Sequence, residues 1–290
     1  MGYAFYGWET ADAAPVCDDY PGIRDPRDLY DALSDVWCAR TCTSRMREEW
    51  TPENKTWGQC TITAFLAQDI FGGKVRGILR PGGNYHCYNE VGDCCFDLTS
   101  EQFGEEAKEL VYDENNPEQF REAQFRIPEK QERYELLKKL LKKKLYPVEV
   151  LRATQTWQCA GAYYVRIQAM ARKHHITLRE EFDEHDHPET KYIVLLQQDF
   201  PIATARLYEI DAAHVMIGRV VVLPESRGVG YGSRAVSEAE EWSRELGYTT
   251  AVLESRTKAV PFYEKLGYTP DYDQVIEGET FTCIHMEKAL

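Results

Sequence analysis

The chain has no run approaching the roughly 18 apolar residues that cross a bilayer, and no basic stretch followed by an apolar core opens it as an export signal would. These two absences lead to the expectation of a soluble, cytoplasmic protein with no membrane partner. Positive charge is scarce, with 34 Lys and Arg against 48 Asp and Glu and a net charge of −14. Generic nucleic-acid binding requires a basic footprint, so nucleic acid is not an expected partner. Cationic or amine-bearing substrates remain open. No C-x-x-C pair occurs, although Cys38 and Cys42 are four apart on an expected helix and Cys94 and Cys95 are adjacent. Zinc sites normally show paired ligands at short spacing, so no metal is expected. The nine cysteines are an odd number, and most of them precede residue 96. Without an export signal, free thiols or a reactive cysteine fit better than a disulfide framework.

What is present is enough apolar and aromatic residue, 43% and 12% of 290 positions, for two domains of average size. Tyr146-Pro147 ends a strongly helical, lysine-rich stretch that begins near Glu129. Its apolar stripe is Tyr134, Leu137, Leu140 and Leu141, and its lysines read as a solvated face. The expected domains are therefore residues 1–147 and 148–290, and the polar run 105–128 reads as connection.

In the first half, Leu29, Leu33 and Trp37 predict an amphipathic helix over 28–37. Ile62, Phe65, Leu66 and Ile70 predict another over 61–71, stopped by Gly72-Gly73. Cys60 thus falls at the start of a buried helix, a position that stabilises thiolate. Residues 75–79, 85–90 and 94–98 read as short strands, the last two bearing His86 and Asp97. A thiol, an imidazole to take its proton and a carboxylate to fix the tautomer form a workable nucleophilic set. The competing reading is that Cys60 packs as a small buried hydrophobe.

The strings W-G-Q-C-T-I-T-A-F-L-A-Q-D-I-F-G-G, Y-H-C-Y-N and F-D-L-T-S-E-Q-F resemble the YunG-like family, grouped with papain-like cysteine enzymes. The resemblance spans about residues 28–105. It implies a papain-type α+β domain with Cys60 as nucleophile, His86 as base and Asp97 as orienting acid. Gln59 or Asn54 could lend a polar group to an oxyanion site.

In the second half, the β-branched run 220–223 reads as a strand covered on both faces, ended by Pro224. Arg227-Gly228-Val229-Gly230-Tyr231-Gly232 then turns into a helix at Ser233. Glycine-spaced backbone at a helix start lets N–H groups approach an anion, so the loop suits a phosphate or pyrophosphate. The spacing matches neither the dinucleotide fingerprint nor the P-loop, which needs a lysine followed by Ser or Thr. Runs at 192–197, 202–210 and 215–223 read as consecutive antiparallel strands, with further strands at 148–152, 250–253 and 281–286. Helices are expected over 158–174, after the glycine loop, and over 259–266.

This order, with R-G-V-G-Y-G after V-V-V-L-P, resembles the GNAT N-acyltransferases. R-A-T, F-D-E-H-D, A-V-P-F-Y-E-K-L-G-Y and C-I-H-M-E-K resemble its ElaA-like (YjcF-like) branch. The resemblance spans about residues 150–290 and implies a mixed α/β fold around a central, mostly antiparallel sheet. It implies acetyl-CoA as acyl donor. The backbone of Val220, Val221 and Val222 would pair with the pantetheine arm, and Arg227, Gly228, Val229, Gly230, Tyr231, Gly232 and Ser233 would hold the pyrophosphate. It also implies Tyr263 as the acid that protonates the departing sulfur. Glu254, His214 and His285 are candidate bases, with Glu254 preferred. Ser255-Arg256 departs from the branch, which often has Ala-Gln there. Arg206 and Arg219 could meet an acceptor carboxylate or pair with the excess acids, and F-D-E-H-D reads as a solvated loop.

The expectation is a two-domain α+β enzyme that moves acetyl from acetyl-CoA to the amine of a small molecule or peptide by direct attack. A homodimer is compatible with it. One alternative makes the thiol site the main activity, a hydrolase or transamidase, with the second domain sensing acyl-CoA. Another makes the first domain a non-catalytic binding module.

Overall fold

A computed structural model describes residues 5–278 and 280–290. The chain forms two compact units, Met1–Tyr146 and Pro147–Leu290.

In the first unit, α1 (Pro26–Ser34) starts where the Asp25 side chain accepts from the N–H groups of Arg27 and Asp28, satisfying donors that a helix start leaves open. Helix α2 (Cys60–Phe71) is the hub. Ile62, Phe65, Leu66 and Ile70 are fully buried, and the helix packs on a three-stranded antiparallel sheet. That sheet runs β1 (Lys74–Leu79), β2 (Tyr85–Val91), β3 (Cys94–Phe96). A short helix α3 (Arg121–Gln124) follows, and then α4 (Pro128–Leu145) lays Tyr134, Leu137 and Leu141 into the same core. Cys38 and Cys42 do not share a helix: α1 ends at Ser34, and residues 38–42 form turns closed by Cys42 N–H to the Cys38 carbonyl. Residues 105–128 are not bare connection, because Gln119 N–H bonds to the Val75 carbonyl and Gly77 N–H to the Pro117 carbonyl.

The second unit is built on a seven-stranded sheet. Its elements are β4 (Val148–Arg152), α5 (Thr156–Arg166), α6 (Arg172–His174), α7 (Leu178–Glu181), β5 (Lys191–Gln197), β6 (Phe200–Glu209), β7 (His214–Val222), α8 (Tyr231–Glu245), β8 (Thr250–Arg256), α9 (Val260–Glu264), β9 (Thr269–Glu277) and β10 (Thr282–Ala289). The strand order is β4-β5-β6-β7-β8-β10-β9, antiparallel except for the β7–β8 pair. Helices α5 and α8 pack on β5, β6 and β7. The expected single helix over 158–174 is instead α5, a π turn at Ile167–Ala171 and α6. Strand β9 was not expected, because its residues are mostly exposed and lack alternation.

Two irregularities shape the sheet. The β6–β7 register shifts between Thr204 and Arg206, and Arg219 opposite it takes φ 49. A bulge of this kind bends a strand and aims its backbone outward. The parallel β7–β8 pairing also stops early, with His214, Val215 and Met216 facing Thr250, Ala251 and Val252 and nothing paired beyond. The strands diverge from there toward Val222 and Arg256.

Candidate functional sites

In the second unit the outer halves of β7 and β8, past Met216 and Val252, are not paired with each other. The outer half of β7 carries Val220, Val221 and Val222; of these Val221 is buried, and the other two are partly exposed. Beyond Pro224 the chain enters the glycine loop. Gly230 is the N-cap of α8 with φ 95, a left-handed conformation that costs a residue with a Cβ. A Cβ on Gly232 would lie 3.4 Å from the Phe262 ring, an ordinary contact distance, which places α9 against the loop. The first turn of the 15-residue helix α8, including Ser233, directs N–H groups out of the helix end. The Arg227 Nε donates to the Val222 carbonyl at 2.8 Å, fixing the guanidinium beside the loop. Burial and then the charge of Arg256 pull the Arg227 pKa below its ordinary value. Both effects are relieved by an anion. A glycine loop with Gly230 at positive φ, a helix start and two neighbouring guanidinium groups fit a pyrophosphate.

Tyr263 lies on α9, its ring 4.8 Å from Phe262 and 5.9 Å from Tyr268. Burial raises its pKa to about 12, so the phenol keeps its proton at neutral pH. Glu254 is exposed on β8, in register with His285 on β10. His285 Nε2 is 2.9 Å from Glu287. His214 is removed from this group. It starts β7, at the end where β7 and β8 are still paired, and its Nδ1 is held 2.8 Å from Asp211 in a turn.

The F-D-E-H-D segment is not a solvated loop. Asp186 meets Arg166 and Arg206 at 2.5 and 2.8 Å, and Asp183 meets Arg206 and Arg219 at 2.6 and 2.9 Å. Arg166, fully buried, also pairs with Glu181 at 2.7 Å. Arg206 is therefore committed to structure rather than to an acceptor carboxylate, and Arg219 shares Asp183. Unpaired, these buried charges would be costly, which explains why the acids come to them.

In the first unit, α2 begins at Cys60, and β2 and the strand end after β3 bring His86 and Asp97 to it. His86 Nε2 lies 2.5 Å from Asp97 Oδ2, both residues almost fully buried. Asp97 is itself fixed by Tyr112 Oη, which donates to Oδ2 at 2.8 Å, and by the Thr99 N–H and hydroxyl, which donate to Oδ1 at 3.0 and 3.1 Å. The other imidazole nitrogen, Nδ1, is buried and makes no hydrogen bond of good geometry. Burial pushes the His86 pKa down, but the charge of Asp97, the hydrogen bond to it and the nearby Cys60 outweigh burial, raising the value to about 10. Cys60 moves the opposite way. A hydrogen bond from Cys87 and the imidazolium of His86 overcome burial and hold its pKa well below the ordinary thiol value. The two shifts run in the directions that favour a thiolate beside an imidazolium.

Two residues that sequence reasoning missed complete this site. Cys87 follows His86 on β2, and alternation along a strand would send its side chain away from His86. The Cys87 Sγ nevertheless reaches the Thr61 hydroxyl at 3.7 Å, and the Cys60 Sγ lies 3.9 Å from the same oxygen. Arg133, a lone arginine among the lysines of α4, donates to the carbonyls of Thr41 and Gly58 at 2.8 Å each. Its forked guanidinium, unlike an ammonium, spans two fixed acceptors. Gly58 needs φ 67, and a Cβ there would sit 2.7 Å from the Cys42 Sγ. The approach to Cys60 is thus set by backbone on both sides.

Neither Gln59 nor Asn54 is among the residues lining the cavity over Cys60. The Gln59 amide donates to the Cys38 carbonyl at 3.2 Å, and Asn54 closes a local turn with Thr51. The donors at hand are the N–H groups of the first turn of α2, which have no partner within the helix. Cys60 and His86 open on a cavity of 460 Å³, lined also by Thr61, Gln102 and Phe103. Among the described residues no group of three or more His, Cys, Asp or Glu could hold a metal ion, and no helix is long and apolar enough to cross a membrane.

Each unit is similar to known proteins. Residues 25–146 match the family model described as YunG protein, and residues 153–268 the one described as acetyltransferase (GNAT) family. The uncharacterized N-acetyltransferase YjcF of Bacillus subtilis is 29% identical over 111 residues, which cover 38% of this chain and 78% of that protein. An uncharacterized acetyltransferase of Streptococcus pyogenes serotype M1 is 30% identical over 91 residues, covering 31% of this chain and 64% of that protein. The chain thus spans just under two thirds of the streptococcal relative. Among solved structures, a putative N-acetyltransferase from Lactobacillus plantarum is similar over 49% of this chain and 98% of its own, at 29% identity and a TM-score of 0.47. Escherichia coli ElaA is similar over 49% of this chain and 99% of its own, at 21% identity and a TM-score of 0.43.

Proposed function

We propose that this chain, in which a YunG-family unit precedes a GNAT acetyltransferase unit, transfers acetyl from acetyl-CoA to the primary amine of a small molecule or peptide by direct attack within a ternary complex. The observation that carries the reading is the parting of β7 and β8 beside the glycine loop, with Tyr263 on the adjoining helix. Acetyl-CoA supplies an activated acyl carbon. The backbone of Val220, Val221 and Val222 orients the pantetheine arm, and residues 227–233 hold the pyrophosphate. The bulge at Arg219 offers backbone N–H to the acyl oxygen as charge grows there. Tyr263, protonated at neutral pH, gives its proton to the departing thiolate. Glu254, exposed on β8, takes the amine proton directly or through water. Calorimetric titration with CoA tests this. Binding is expected in the native chain and is weakened in Arg227→Glu. A folded sample that fails to bind, or a variant that binds equally well, removes the proposal.

A second activity is favoured by the Cys60–His86–Asp97 geometry. The Cys60 thiolate attacks an acyl carbon of an amide or ester, and a C–S bond forms as the bond to the leaving amine or alcohol breaks. The His86 imidazolium gives its proton to that leaving group. Water, or a second amine, then attacks the thioester, with His86 taking the incoming proton, and Cys60 is released. Such a papain-like hydrolase or transamidase predicts selective labelling of Cys60 by an electrophilic probe, lost in His86→Ala. Equal labelling of all exposed thiols counts against it.

A further inference from the structure

The cavity over Cys60 has a charge that the chain as a whole does not. Its lining carries Arg45, Arg80, Lys130 and Arg133, and among the described lining residues there is no Asp or Glu, in a chain whose net charge is −14. The four cations differ in how far they are already engaged. Arg133 is buried and bound to two carbonyls and to Glu129, so it serves the wall. Arg80 lies 3.4 Å from the largely exposed Glu106 and stacks over Phe103, itself edge-on to His86. Arg45 and Lys130 are different. Among the described residues neither has a carboxylate partner, and the polar contact of Lys130 is with the Gln124 amide oxygen at 2.6 Å. The nearest acid by position, Glu129, is turned away onto Ser44 N–H and Arg133.

Unpaired cations converging on a concave, nucleophile-bearing space raise the local concentration of anions and repel cations. We infer that the Cys60 site takes an acyl substrate bearing a carboxylate, which Arg45 and Lys130 bind while the acyl carbon faces the thiolate. This rests on the reading of Cys60 as a nucleophile. It extends that reading from a reaction type to a substrate class, amides or esters of an acidic amino acid or acidic peptide. Arg45 and Lys130 act as binding residues, clear of the Cys60, His86 and Asp97 proton path.

The test uses the full chain and methanethiosulfonate reagents of similar size and opposite charge, the anionic sulfonatoethyl and the cationic trimethylammonioethyl compounds. The uncharged methyl reagent is the control, and modification of Cys60 is followed by peptide mass. Each rate is normalised to that of the same reagent with a small free thiol. The anionic reagent is expected to react with Cys60 at least about tenfold faster than the cationic one. Arg45→Gln combined with Lys130→Gln is expected to abolish most of that preference while leaving the methyl rate unchanged, which also shows that the variant is folded. If Cys60 reacts rapidly with the methyl reagent but shows no anionic preference, or keeps it in the double variant, the carboxylate inference falls and the nucleophile reading stands. If Cys60 reacts with the methyl reagent no faster than an ordinary thiol at pH 6, the nucleophile reading falls and takes the inference with it.

Discussion

His86 Nε2 and Asp97 Oδ2 meet at 2.5 Å with both side chains almost out of solvent, and the carboxylate raises the His86 pKa, which adds to the Cys87 contact in lowering that of Cys60. With His86 raised to about 10 and Cys60 well below its ordinary value, alkylation of Cys60 should plateau well below pH 9. Turnover that needs the imidazolium as acid should fail as pH rises through about 10, where His86 loses its proton. Asp97→Asn removes the charge that holds His86 protonated. The alkylation rate near pH 6 should then drop, by about tenfold for each unit by which the thiol's pKa rises above that pH. An unchanged pH–rate profile in Asp97→Asn would show that the carboxylate does not act through His86.

Tyr263→Phe removes a proton source but leaves the ring that packs on Phe262 and Tyr268. The turnover number for acetyl transfer should fall about 10²- to 10⁴-fold, while the CoA affinity stays within about twofold of native. Equal losses in turnover and affinity would place Tyr263 in binding instead.

Gly230→Ala puts a Cβ on a residue at φ 95. The strain should cost about 1–2 kcal/mol of stability and weaken CoA binding, because the loop must shift to relieve it. Thermal unfolding and CoA titration on the same sample check both. A variant with native CoA affinity would mean that the loop does not need this conformation to hold its ligand.

Asp186 sits between Arg166, Arg206 and the Tyr192 hydroxyl. Burial raises its pKa, but the hydrogen bonds from Arg166 and Tyr192 outweigh that and hold the carboxyl well below the ordinary 3.8. Asp186→Asn leaves buried guanidinium groups short of a partner and should cost about 3–5 kcal/mol in denaturant unfolding at pH 7. A lowered folded-state pKa contributes stability that is complete above the unfolded value and is lost as pH falls through the folded one. The gap between native and variant should therefore be full above about pH 5 and close in strong acid. A gap independent of pH would deny Asp186 its charge.

The elements most legible in the sequence were those whose pattern is local. The apolar face of α2 and the continuous run in β7 follow from which residues must leave water. The place of Cys60 was legible for the same reason, since a helix start is a local feature. What stayed hidden depends on contacts far along the chain. Nothing local marks Arg133 within its lysine-rich helix, yet it is 5% exposed and grips Gly58 seventy-five positions away. Asp183 and Asp186 looked solvated because their arginine partners lie on α5, β6 and β7. Strand β9 carries no burial period, since it forms the outer edge of the sheet. The π turn after α5 has no residue signature that distinguishes it from continued helix.

The early end of β7–β8 pairing gives the second unit an inner edge as well as the outer edges at β4 and β9. An outer edge is a hazard, because a neighbouring chain's strand can add to it, and natural sheets blunt such edges with charge or proline. The inner edge here is flanked on both sides by strands of its own sheet, β6 and β10, so a foreign strand would have to be threaded in end-on. A thin, flexible molecule can lie along it where a polypeptide cannot. The fold can therefore leave backbone donors and acceptors open for a ligand without inviting self-association, and the valines at 220–222 can remain as apolar as a sealed core.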